Sequence, residues 1–205
     1  MTPPTRVVLE LGRVWVFASA LDWPGWCRRG QGEHAALDAL LDAADRFRLV
    51  AGPGFQPGDL QVVDRLPGNA TTDFGAPGAI SALDAEPLDR VTSARAVELL
   101  EACWRRFDGV VAGAPALLPK GPRGGGRDRD GIVDHVREAE RTYGRKVGVR
   151  VAPRTPWPGQ RAEIAAGLAA GAPGGAWPVR YGVRRMAWHV LDHAWELEDK
   201  TAAAL

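Results

Sequence analysis

Cysteine, methionine, tyrosine and net charge are all scarce in this chain of 205 residues. Only 2 cysteines are present, Cys27 and Cys103, and they are far apart and match no paired metal-ligand spacing, which excludes both a disulfide framework and a cysteine-based zinc ribbon. Such sparing use of cysteine fits a reducing, cytoplasmic setting. With 26 basic and 25 acidic residues the formal charge is +1, so no global field draws the chain toward nucleic acid or an acidic membrane surface. No apolar run approaches the roughly 20 residues that cross a bilayer. The opening MTPPTRVVLELGRVWVF lacks the charged region, apolar run and small-residue cleavage site of a secretory signal. A soluble globular protein is the default left by these exclusions, and a small-molecule substrate is the partner expected for it if it is an enzyme.

What is abundant is apolar surface. Hydrophobic residues make up 45% of the chain, enough for a sizeable core. Ala, Arg, Gly, Pro and Trp are frequent, the composition of a high-GC, actinobacterial type of genome. The pattern along the chain predicts an α+β protein. Alternating apolar residues over 6–17 read as two strands paired across Gly12 and Arg13. Trp23, Pro24, Gly25 and Trp26 form a turn-rich link. Leu37, Leu40, Leu41, Ala44 and Phe47 then fall at helical spacing over 32–47, and a short strand is expected over 60–66. The expected organisation is therefore a small strand-strand-helix-strand module over 1–66, a connecting loop over 67–90, and a helical domain over 91–205. In the last part, helices are expected over 93–111, 130–147, 159–170 and 178–200. Pro178 suits the first turn of the final one. Four such helices can share one core as an up-down bundle.

Three of the four histidines lie on the apolar stripes of these helices. His189 and His193 are four apart, which stacks both imidazoles on one helix face. His135 follows Ile132 by three and faces inward in the same way. Three neutral imidazoles suit a divalent ion of borderline softness, zinc first and nickel or iron as alternatives. Asp192 and Glu196 flank His193 and are placed to orient an imidazole through its far nitrogen. An H-x-x-x-H pair alone is common on helices, and two core or surface histidines are the plain alternative. Burying three without partners would be costly, and a metal removes that cost.

The runs DGIVDHVREAE (130–140) and RMAWHVLDHAWELED (185–199) resemble the DinB-like, or YfiT-like, metalloprotein superfamily. Its members are four-helix bundles with one histidine on the second helix and H-x-x-x-H on the last. The resemblance covers about half the chain and implies that His135, His189 and His193 are the metal ligands. It further implies a thiol-dependent S-transferase or isomerase using a low-molecular-weight thiol such as mycothiol, or a metal-dependent hydrolase. The N-terminal runs FASALDWPGWC (17–27) and GQGEHAALDALL (30–41) resemble HicB-like modules, for which pairing is the implied role, here a homodimer through the strand-bearing half.

Other features are weighed against simpler roles. The loop KGPRGGGRDRD (120–130) lacks the Gly-Lys-Ser/Thr of a phosphate loop and is first a solvated connection. Arg123 and Arg127, with Arg129, are nonetheless candidates to hold a substrate carboxylate or phosphate, because the loop leads into the helix bearing His135. The loop GNATTDFGAPG (68–78) is a linker or a cover for the bundle mouth. The 8 tryptophans are expected in the core or at its rim. His34 reads as an exposed helix-start residue. Three functions stay open: a metalloenzyme, a binding or regulatory protein with a structural metal, and a metal-free scaffold.

Overall fold

The computed structural model describes residues 3–120, 126–171 and 174–203. The chain is α+β, and its described residues form a four-stranded sheet and seven α-helices. Strand β1 (Thr5–Leu11) pairs antiparallel with β2 (Val16–Ala20), Leu11 opposite Val16. The turn through Trp23 to Trp26 then returns the chain as β3 (Cys27–Gly30), antiparallel to β2. Gly25 in that turn has φ +96°, and a Cβ there would meet Leu191 at 2.8 Å and Cys103 at 3.2 Å. The turn is glycine because two helices press against it. Strand β3 is an addition to the expected pattern. Its sequence, CRRG, is short and charged, as sheet edges often are, and carries no apolar alternation to reveal it.

The helix expected over 32–47 is two, α1 (Glu33–Asp42) and α2 (Ala44–Ala51), joined at Ala43. The Trp26 indole donates to the Leu40 carbonyl at 2.8 Å, next to the break. The bend keeps Phe47 buried, where it stacks on Trp26 and meets Phe55 edge-on. Strand β4 (Leu60–Pro67) runs parallel to β1, giving the order β3-β2-β1-β4.

The following segment, expected to be a loop, holds α3 (Ala70–Phe74) and a 3-10 turn (Ala82–Ala85). Asn69 and Ser81 cap these with capping boxes. Buried Glu10 of β1 accepts from the Thr72 hydroxyl and from the backbone N–H groups of Gly78 and Ala79. A carboxylate in the sheet thus pins the segment where no apolar periodicity would predict structure.

Helix α4 (Arg90–Gly113) begins where the Asp89 side chain accepts the Thr92 N–H at 2.7 Å. It is followed by α5 (Arg129–Lys146), α6 (Trp157–Ala169) and α7 (Val179–Ala202). Helices α4 and α5 each pack on both α6 and α7, and α2 packs on α4. Helix α7 is buried on most of its circumference. One hydrophobic core runs from Val7, Leu9 and Leu40 on the sheet side to Leu100, Phe107, Ile132 and Val190 among the long helices. Ion pairs at its margin join β3 and α2 to α7, Arg28 to Asp192 at 3.0 Å and Arg46 to Glu198 at 2.6 Å. Among the described residues no helix is long and apolar enough to cross a membrane.

Candidate metal centre

Two helices carry the cluster. On α5, Ile132 and Val136 are fully buried and fix the face that meets α7. His135 lies beside them, half-buried. On α7, His189 is 7% exposed and His193, one turn on, is half-buried. The three rings converge, with centroids 5.0, 5.0 and 4.7 Å apart. The Nε2 atoms of His135 and His189 face each other at 3.2 Å. One ring nitrogen from each of the three lies within 4.8 Å of the others.

The surroundings favour the neutral form of His135 and His189. Burial lowers the His189 pKa well below the ordinary 6.5, and His193, Arg185, His135 and Arg127 lower it further. Burial also lowers that of His135, with His193 and Arg127 adding to it and Glu196 opposing. Glu196 lies 2.8 Å from Nδ1 of His193 and accepts from Lys200 at 2.5 Å. The hydrogen bond to His193, helped by Lys200 against the opposing burial, brings the Glu196 pKa down to about 2. With Nδ1 engaged by a carboxylate, His193 is left with Nε2 as its free nitrogen.

This donor set fits a divalent ion. Two nitrogens at about 2.0–2.1 Å from a tetrahedral ion stand about 3.3 Å apart, close to the 3.2 Å between the two Nε2 atoms. Facing nitrogens of two neutral imidazoles can share a single proton or a single cation, and a third ring alongside favours the cation. A carboxylate behind one imidazole completes a common metal arrangement. Three protein ligands leave room for at least one exogenous ligand.

The structure brings His135, His189, His193 and Glu196 together. Asp192 turns to the other side of α7, onto Arg28. The four-residue periodicity that stacks 189 on 193 rotates 192 away from them. Asp134 and Glu138 are exposed on α5, and His34 is exposed at the start of α1. Arg127 is exposed, and its charge reaches both His135 and His189. Arg123 lies outside the described residues. Arg129 donates to the Ala114 carbonyl and pairs with Asp130. The segment 68–78 lies against Glu10 on the sheet. Trp104, Trp188 and Trp195 are buried.

Two neighbours of the cluster went unassigned in the sequence. The Tyr143 ring meets His189 edge-on at 5.5 Å. Arg185, one turn before His189 on α7, is 9% exposed. Its i, i+4 relation to His189 was the available signal, since it puts a cation on the same stripe as two histidines. Comparisons with protein-family models, curated proteins and solved structures find no match to this chain.

Proposed function

We propose that this chain is a divalent-metal-dependent enzyme of the DinB-like type, in which α4, α5, α6 and α7 form the bundle and His135, His189 and His193 hold the ion. The observation that carries the proposal is the pair of Nε2 atoms at 3.2 Å beside a third imidazole whose far nitrogen is held by Glu196. When bound, a zinc-like ion would lower the pKa of a ligand such as a thiol or water. Zinc leads over nickel or iron because three imidazoles and an open position suit it without redox chemistry.

The chain's own residues divide the work. His135 and His189 present neutral lone pairs, held so by burial and by nearby cations. Glu196 fixes the tautomer and tilt of the His193 ring, and Lys200 holds Glu196 in place. His135 and His193 keep part of their surface exposed, so a reactant would approach the cluster from that side. The resemblance in 130–140 and 185–199 favours a low-molecular-weight thiol as cosubstrate, making the reaction an S-transfer or isomerisation. Nucleic acid and membrane are not proposed as partners, and a homodimer through the sheet is the proposed assembly.

The test uses protein purified without an affinity tag and loaded with cobalt(II). Titration with 2-mercaptoethanol should produce a sulfur-to-cobalt charge-transfer band that saturates at one thiol per metal. Cobalt bound without any such band, together with hydrolysis of an activated ester, would replace the thiol reading with a hydrolase. Cobalt bound with neither response would leave a structural metal.

A further inference from the structure

The other buried or partly buried arginines of α6 and α7 pair with carboxylates. Arg161, as buried as Arg185 at 9% exposure, grips Glu140 and Asp108. Arg184, the adjacent residue on α7, forks onto Asp84 at 2.7 Å. Arg6, Arg28 and Arg46 pair with Asp22, Asp192 and Glu198. Arg185 is different. Among the described residues it has no ion pair, and its Nη1 is buried with no hydrogen-bond partner. Its guanidinium lies between aromatic faces, 4.6 Å from the Trp188 ring and 5.3 Å from the Tyr143 ring. Cation–π contact offsets part of the desolvation of the charge but satisfies none of its in-plane N–H donors.

The position of this guanidinium ties it to the metal cluster. Tyr143 and Trp188 both also contact the His189 ring, at 5.5 and 6.1 Å. Arg185 and His189 therefore share the same two aromatic neighbours and the same stripe of α7. Three neutral imidazoles would leave a divalent ion with its full charge. Arg185 and Arg127 add positive potential there, and among the described residues Glu196 is the one carboxylate hydrogen-bonded to the cluster. A buried cation set next to a dication is unfavourable unless an anion joins them.

We infer that Arg185 anchors the carboxylate of a small-molecule substrate whose other end reaches the three-histidine centre. Rings packed near the faces of a guanidinium leave its in-plane N–H donors for a partner, and a carboxylate matches two of those donors with two parallel hydrogen bonds. The inference rests on the metal reading for the substrate's second contact, but the anion anchor itself does not need the metal.

The experiment exploits that separation. Acetohydroxamate is the neutral probe, and 4-(hydroxyamino)-4-oxobutanoate carries the same metal-binding head with a carboxylate tail. Both are titrated by calorimetry into cobalt-loaded and metal-free protein. The tailed probe should bind the loaded wild type at least about tenfold more tightly, and it should remain the preferred probe, at lower affinity, without metal. Arg185→Met should abolish the preference in both forms. This variant removes an unpartnered charge and keeps side-chain volume, so its thermal melt should not fall below wild type. Arg185→Lys, which keeps the charge and loses the fork, should retain a reduced preference. Equal binding of the two probes by wild type, or a preference that survives Arg185→Met, overturns the inference. A preference that depends on Arg185 in protein that takes up no cobalt upholds the anion anchor and overturns the metal reading.

Discussion

Helix α5 carries two clusters of polar side chains that differ in how burial is compensated. At its C-terminal half, Glu140 is 2% exposed, accepts from the Trp157 indole at 2.6 Å and from Arg161, and Arg161 in turn reaches Asp108 on α4. Every charge there meets an opposite charge. One and a half turns earlier, His135 meets His189 with nitrogen facing nitrogen, and Arg185 beyond it has aromatic rings beside it and, among the described residues, no ion pair. The first cluster is complete within the chain and binds α4, α5 and α6 together. The second is not, and on the proposal made above a cation among the imidazoles and an anion at the guanidinium would complete it. Where a protein leaves buried polar groups short of partners, the missing partners point to a ligand.

The comparison can be broken most sharply at the complete cluster. Arg161→Met leaves Glu140 charged and nearly solvent-free, and should lower stability in urea by about 3–5 kcal/mol without altering metal uptake. Combining it with Glu140→Leu should recover most of that loss, because a well-packed apolar pair replaces an ion pair at little net cost. If the single variant is as stable as wild type, the network is not the brace described here.

The incomplete cluster should respond in the opposite sense. His135→Gln should weaken metal binding by more than about a hundredfold, while metal-free stability changes by no more than about 1 kcal/mol. Competition with a coloured chelator and urea melts of the same samples read both quantities. A smaller change is expected one layer out. Glu196→Gln should cost about tenfold to a hundredfold in metal affinity, because it loosens the His193 ring without removing a ligand.

The smallest effect is on pH dependence. The folded pKa values of His189 and His135 lie below the ordinary 6.5. Below that pH the unfolded chain binds more protons, so metal-free stability should begin to fall as pH drops through 6.5, by at most about 1.4 kcal/mol per unit for each ring. Glu196, at about 2 against an ordinary 4.5, contributes stability that is present above 4.5 and lost between those values. Bound metal should flatten the first of these steps. A metal-free protein equally stable at pH 7 and pH 5.5 would contradict the desolvated placement of the histidines.

These contrasts also mark what was legible in the sequence. The four long helices were readable because each has a buried stripe with helical period, and their ends fell close to the expected ones. The same periodicity brought 135, 189 and 193 into consideration, since a histidine on such a stripe must face a neighbouring helix. Strand β3 was not legible, because its pairing is backbone hydrogen bonding by a charged tetrapeptide. Nor was the order in 67–87, which depends on tertiary partners, among them Glu10, some sixty residues away, for Thr72 and Gly78, and Arg184 for Asp84. The helix break at Ala43 likewise answers to a tertiary contact, the Trp26 indole on the Leu40 carbonyl. Asp192 and Glu196 were indistinguishable by proximity to His193. Only helical phase separates them, and that phase sends one to Arg28 and the other to the imidazole.

The central claim is that the three imidazoles form one cation site. Protein purified without a metal-affinity step, stripped by chelator and reloaded with zinc, should hold one metal per chain after desalting, and His189→Gln with His193→Gln should hold none while keeping the wild-type helical content. Fewer than about one metal for every several chains in wild type, or equal retention in the double variant, would contradict it.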